Sequence, residues 1–186
     1  MPSPWNELLP TRVELGGAEY DIRSDYRAVL DICAALSDPE LDGQERAIVA
    51  LTIFYPDLTV MPSEHHQEAV EQCLRFIRGG DEEPPGRAPK LMDWEQDFQH
   101  IIAPINRVLG QEVRAVEYMH WWTFLAAFYE IGDCTFAQIV RVRDRLARGK
   151  ALDKQDREWY RNNQHLVDFK RKYTSAEDDM AKSWGF

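Results

Sequence analysis

Between Val113 and Ile131 the chain carries Val116, Tyr118, Met119, Trp121, Trp122, Phe124, Leu125, Ala126, Ala127, Phe128 and Tyr129. A helix apolar on nearly every side is stable only when other elements enclose it. Read as one helix, this stretch is central, and the rest of the chain has to supply its surroundings.

The remaining sequence supplies them mostly as helices. Ser24 can cap a helix on which Tyr26, Val29, Leu30, Cys33 and Leu36 recur at helical spacing, ending before Asp38 and Pro39. Asp42 with Glu45 reads as an acidic capping box ahead of Ile48, Leu51, Thr52 and Tyr55, and Pro56 stops that helix. A third runs from about Ser63 through Ala69, Val70, Cys73, Leu74 and Ile77 to Gly79 and Gly80.

Further on, Asp93 and Gln96 can cap a helix facing inward through Trp94, Phe98, Ile101, Ile102, Ile105, Val108 and Leu109. Gly110 closes it, and Pro104 should kink or split it. Thr135 caps another helix with Phe136, Ile139, Val140, Val142 and Leu146. Asp153 caps a last one with Trp159, Tyr160, Leu166 and Phe169.

Ahead of all these, residues 12–15 and 18–22 alternate apolar and polar around Gly16-Gly17, the pattern of a short β-hairpin. Its face of Val13, Leu15, Tyr20 and Ile22 is too small to stand alone and must lie on helices. The expected fold is therefore mainly α, one or more helical bundles with a short N-terminal β-hairpin.

Residues 81–91 hold three prolines among charged residues and cannot form regular structure. Two readings stand: a linker, or a long loop inside one domain. The linker reading gives an N-terminal hairpin plus three-helix domain at 1–80, a C-terminal helical domain at 92–173, and a polar acidic tail at 174–186.

Apolar residues at 44% and charged residues at 29% are the composition of a globular chain, and 186 residues can bury a core without staples. Cys33, Cys73 and Cys134 form no C-x-x-C pair and sit in apolar stretches, which reads as reduced thiols and points to the cytosol. The opening residues lack a basic cap with an apolar run, and no window approaches the roughly 18 apolar residues of a membrane span.

The net charge of -10 opposes contact with phosphate backbones. Between Arg141 and Lys172 there are 11 Lys and Arg against 5 Asp and Glu, a local +6 that leaves -16 on the remainder. Such poles suit a charged protein partner or a second copy, with Arg141, Arg145 and Arg148 as candidate contacts; solvated helix faces give the same counts.

Few residues offer chemistry. Glu117 and His120 have the i, i+3 spacing that di-iron carboxylate bundles use, but such sites need a second Glu-x-x-His, and the chain has none. His120 then reads as a packed helix residue. Adjacent His65 and His66 point about 100° apart on a helix and are expected to face solvent near its start.

No Gly-rich phosphate loop and no nucleophile elbow occurs. The reading is of a non-catalytic chain that requires no cofactor or metal. Six tryptophans exceed what such a core needs, and Trp5, Trp94 and Trp159 are candidates for a partner-binding surface or, equally, for sealing helix packing.

Four stretches resemble one known family. They are Leu9-Pro10-Thr11-x-Val13 with its Gly-Gly hairpin, Tyr20-Asp21-Ile22 and Ser24-Asp25-Tyr26-Arg27; Leu51-Thr52-Ile53-Phe54-Tyr55-Pro56; Phe76-Ile77-Arg78-Gly79-Gly80; and Asp93-Trp94-Glu95-Gln96-Asp97 followed by Glu117-Tyr118-Met119-His120-Trp121-Trp122-x-Phe124. In this order, over about residues 8 to 173, they resemble the bacteriophage Gp-fifteen family of tail gene clusters in phages and prophages of Gram-positive bacteria.

The resemblance implies tail morphogenesis in the host bacterial cytoplasm, as a tail assembly chaperone. The implied partners are the tape measure protein, the tail tube protein and a companion tail assembly chaperone, with a homo-oligomer possible in addition. The alternatives are a structural tail completion or connector component of the virion and, from the residues themselves, a metal-dependent enzyme built around Glu117 and His120. The family supplies no functional residues to carry over position by position.

Overall fold

A computed structural model describes residues 8–82, 86 and 88–170 of the chain. Among these are two strands and eight α-helices, so the fold is mainly α with an N-terminal hairpin. The chain divides into two compact units that are not contiguous in sequence: residues up to the 81–91 stretch take in Glu117–Leu125, and most of the remainder forms the second unit.

In the first unit, β1 (Arg12–Leu15) pairs antiparallel with β2 (Ala18–Asp21), Val13 opposite Tyr20 and Leu15 opposite Ala18. Gly16 and Gly17 take φ of 55° and 82°, the left-handed pair that a tight two-residue hairpin turn demands. Leu15 and Ile22 are buried, while Val13 and Tyr20 are half-buried.

The face meets α3 (His66–Ile77), and Tyr20 meets the Tyr55 and His65 rings edge-on; three helices follow in this unit. Tyr26, Val29 and Ile32 are the buried stripe of α1 (Tyr26–Leu36). The helix α2 (Gly43–Phe54) buries Ala50, Leu51 and Phe54, and α3 buries Ala69, Cys73 and Phe76. The expected capping box at α2 is complete: Asp42 accepts from the Glu45 amide at 2.9 Å, and Glu45 accepts from the Asp42 amide at 2.8 Å. At α1 the cap is Asp25 rather than Ser24, because the Asp25 carboxylate accepts the Arg27 amide at 2.9 Å while Ser24 is buried.

The central helix is much shorter than expected. Val113–Ala115 is a 3-10 turn, residues 116–120 are non-helical, and only α5 (Trp121–Tyr129) is α-helical. The cause is tertiary. Met119 donates its amide to the Asp25 carboxylate and accepts the Tyr26 amide at 2.9 Å, and Trp121 donates to the Ser24 carbonyl at 2.7 Å. Backbone groups spent on the Ser24–Tyr26 strip cannot also close helical turns.

In the second unit, α4 (Trp94–Leu109) is capped by Asp93 and ends at Gly110 with φ 68°. It runs as one element with Pro104 inside, not split, since Pro104 is itself buried beside Ile101, Ile102 and Ile105. The helix α6 (Thr135–Ala147) is capped by Cys134, whose Sγ accepts from the Ala137 amide at 3.5 Å, so Thr135 is its first residue rather than its cap. Asp153 caps α7 (Lys154–Asn162) as expected. What reads as one last helix is two, since Asn163 interrupts it before α8 (Gln164–Val167). The acidic tail at 174–186 lies outside the described residues.

Candidate functional site

The residues with the strongest claim to chemistry are Glu117 and His120. Neither lies within a helix: Glu117 is exposed on the non-helical stretch and His120 is buried, bridged to Asp25 in antiparallel fashion. The i, i+3 spacing therefore does not put both side chains on one helix face.

The imidazole is committed on both sides. Its Nδ1 accepts from the Trp122 amide at 3.0 Å, which leaves the proton on Nε2 to be donated to the Pro10 carbonyl at 2.9 Å. Burial moves its pKa below the usual histidine value. His120 thus caps the start of α5 and ties down Pro10, two residues ahead of β1. It has no lone pair to offer a metal, and among the described residues no cluster of three or more His, Cys, Asp or Glu side chains could hold one.

Around it stands an aromatic assembly. Tyr26 stacks on Phe124 at 4.6 Å with planes 5° apart, and Phe124 stacks on Trp121 at 5.7 Å. Trp121 Nε1 donates to the Ile77 carbonyl and Trp122 Nε1 to the Phe76 carbonyl, both at 2.9 Å. Both indoles thereby satisfy carbonyls at the C-terminal end of α3, which the helix itself leaves unpaired.

Trp122, Phe76, Val13, Pro10, Gln72 and Arg75 line an open groove of about 250 Å³. Sequence reading missed this groove, because its walls come from β1, α3 and α5. The Trp-Trp pair alone could have signalled it.

His65 and His66 are half-buried, not solvent-facing. His65 ends a 3-10 turn and shares a hydrogen bond of 3.0 Å with the Tyr20 hydroxyl, so it serves the hairpin. Burial pushes the Cys33 and Cys73 thiols up to about 12, which keeps them protonated and unreactive.

In the second unit the polar centre is Arg143, buried on α6. It grips Asp97 of α4 through two bonds of 2.6 and 3.0 Å and reaches the carbonyls of Leu91, Leu166 and Val167. The Phe169 ring covers the guanidinium at 4.1 Å. This fixes α8 and the residues after it on α4.

Trp5 lies outside the described residues. Trp94 is half-buried with its ring 5.0 Å from Phe128, and Trp159 is half-buried on α7. Arg141 and Arg145 both reach the buried carboxylate of Asp156, at 2.7 and 3.9 Å, and Arg148 pairs with Asp144 at 2.6 Å. Each candidate arginine is therefore partly neutralised within its own unit. No described helix is long and apolar enough to cross a membrane.

Fold and geometry together define a class: a mainly helical protein whose polar clusters are spent on its own backbone. The model of one protein family, Bacteriophage Gp15 protein, matches residues 5–169, and the chain belongs to that family of bacteriophage proteins. No curated protein and no solved structure matches it.

Proposed function

We propose that this is a non-catalytic morphogenesis protein of the phage tail, a tail assembly chaperone that binds the tape measure protein and helps recruit tail tube subunits. The observation that carries the reading is the family match over residues 5–169. Within the described residues, His120 bonds the Pro10 carbonyl and the Trp122 amide, Arg143 pairs with Asp97, and Arg141 pairs with Asp156, so these groups serve the packing of the fold.

A holder for a long helical client works through many weak contacts. Ile48, Val60, Tyr118, Tyr129 and Leu146 stand exposed and are available for such contacts. The basic face of α6, with Arg141, Arg145 and Arg148, is available to a companion chaperone or to the acidic surface of a second copy. The setting is the host bacterial cytoplasm during assembly.

Co-expression with the tape measure protein tests this reading. The chaperone should raise the client's solubility, co-elute with it, and be missing from purified particles by mass spectrometry. Unchanged solubility with no co-eluting complex refutes it.

A further inference from the structure

We propose that the groove between β1, α3 and α5 is a docking site for an acidic peptide segment of a partner protein. One large apolar side chain of the segment packs against Pro10, Val13 and Trp122, and an adjacent aspartate or glutamate pairs with Arg75.

The walls are fixed before any partner arrives. Trp122 Nε1 donates to the Phe76 carbonyl at 2.9 Å and the two rings stack at 5.6 Å, so the indole is held in place. Gly80 lets the Trp122 ring lie close to the backbone, since a Cβ there would sit 3.2 Å from it. Pro10 is held by the His120 bond to its carbonyl. A partner therefore loses little free energy in ordering this surface.

Size selects a side chain. The volume of about 250 Å³ falls below the roughly 300–1,000 Å³ of small-molecule sites and suits one large side chain. Leu8 and Leu9, directly ahead of Pro10, stand exposed and continue the apolar surface at that end.

Charge selects the neighbour of that side chain. Arg75 is the one charged residue lining the groove among the described residues. It spends its Nε on the Gly80 carbonyl at 3.1 Å, and no acid among the described residues pairs with it, which leaves its two terminal nitrogens to a carboxylate. Nearby acids on α3 are engaged elsewhere: Glu68 accepts the Gly16 amide at 3.1 Å, and Glu71 accepts the Gln67 side-chain amide at 2.9 Å. Gln72 lines the same wall and can donate to the segment's backbone. A cation at the rim of an apolar groove is complementary to an acid beside an apolar residue.

The test is amide NMR of the full chain titrated with three N-acetylated, C-amidated pentapeptides. Ala-Asp-Phe-Asp-Ala should shift the amides of Gln72, Arg75, Phe76 and Gly80 and the Trp122 indole in a saturable way. Ala-Asn-Phe-Asn-Ala, which keeps the ring and loses the charge, should bind about two- to fivefold more weakly. Ala-Asp-Ala-Asp-Ala, which keeps the charge and loses the ring, should leave these signals in place. In Arg75→Gln the Asp and Asn peptides should bind alike.

No saturable shift at these residues, or equal affinity of the Asp and Asn peptides for the parent protein, overturns the proposal. So do signals of the peptide-free protein that move with its own concentration together with a dimer on sizing, because a second copy then holds the groove. The peptides carry no tape measure sequence, so failure here is separate from failure of the co-expression experiment.

Discussion

Arg143 and Asp97, 46 residues apart in sequence, form a two-pronged ion pair inside the second unit with side chains only 3% and 1% exposed. Removing one partner of such a pair strands a buried charge, at a cost of about 3–5 kcal/mol, whereas replacing both by apolar groups is often neutral. Asp97→Ala should therefore destabilise by about that amount in chemical denaturation. Asp97→Leu combined with Arg143→Met should recover part of the loss, the rest reflecting carbonyls of Leu166 and Val167 left without a donor.

His120 makes the first unit sensitive to acid. Burial lowers its pKa from 6.5, so the unfolded chain binds this proton more readily than the folded one. Its contribution is complete above about pH 6.5 and is lost as pH falls from there toward the lower folded value. In melting curves, His120→Asn should show a shallower loss of stability between neutral and mildly acidic pH than the parent. Equal slopes would remove His120 as the cause.

The hairpin glycines separate two effects. A Cβ on Gly17 meets nothing within 4 Å, so Gly17→Ala should cost only the left-handed backbone, about 1–2 kcal/mol. A Cβ on Gly16 would sit 2.2 Å from His65 Nε2 and displace the ring from Tyr20. Gly16→Ala should cost distinctly more, and His65→Ala should rescue part of it in a double-mutant cycle.

A fragment ending at residue 82 should lack fixed tertiary structure. It loses Phe124 from the Tyr26 stack and both indole donors at the end of α3. Collapsed amide dispersion in its NMR spectrum, restored by a peptide spanning 113–131, is the expected result. A well-dispersed fragment spectrum would show that the Glu117–Leu125 segment is dispensable to the unit.

Trp121→Phe keeps most of the ring contact with Phe124 but leaves the Ile77 carbonyl without its indole donor. The expected loss is about 1–3 kcal/mol, read from denaturant midpoints at unchanged slope.

How far the site could be read in advance divides along sequence separation. The Glu117 and His120 spacing was visible, yet its meaning depended on whether residues 116–120 are helical, and that was settled by Ser24–Tyr26, far away in the chain. Arg143 counted as one more charge in a basic stretch until Asp97, Leu166 and Val167 enclosed it. The groove was invisible because no short stretch contains two of its walls.

The sequence by itself determined the hairpin with its Gly16-Gly17 turn, the capping box of Asp42 and Glu45, the Asp93 and Asp153 caps, and the helix stop at Gly110. Each depends on groups within four residues of one another, so the chemistry is written locally. Only the tertiary structure decided that Val116–His120 leaves the helix, that Asp25 rather than Ser24 caps α1, and that Trp121 and Trp122 close the end of α3. Helix propensity differs by less than about 1 kcal/mol per ordinary residue. Several long-range hydrogen bonds made together with buried aromatic packing outweigh it.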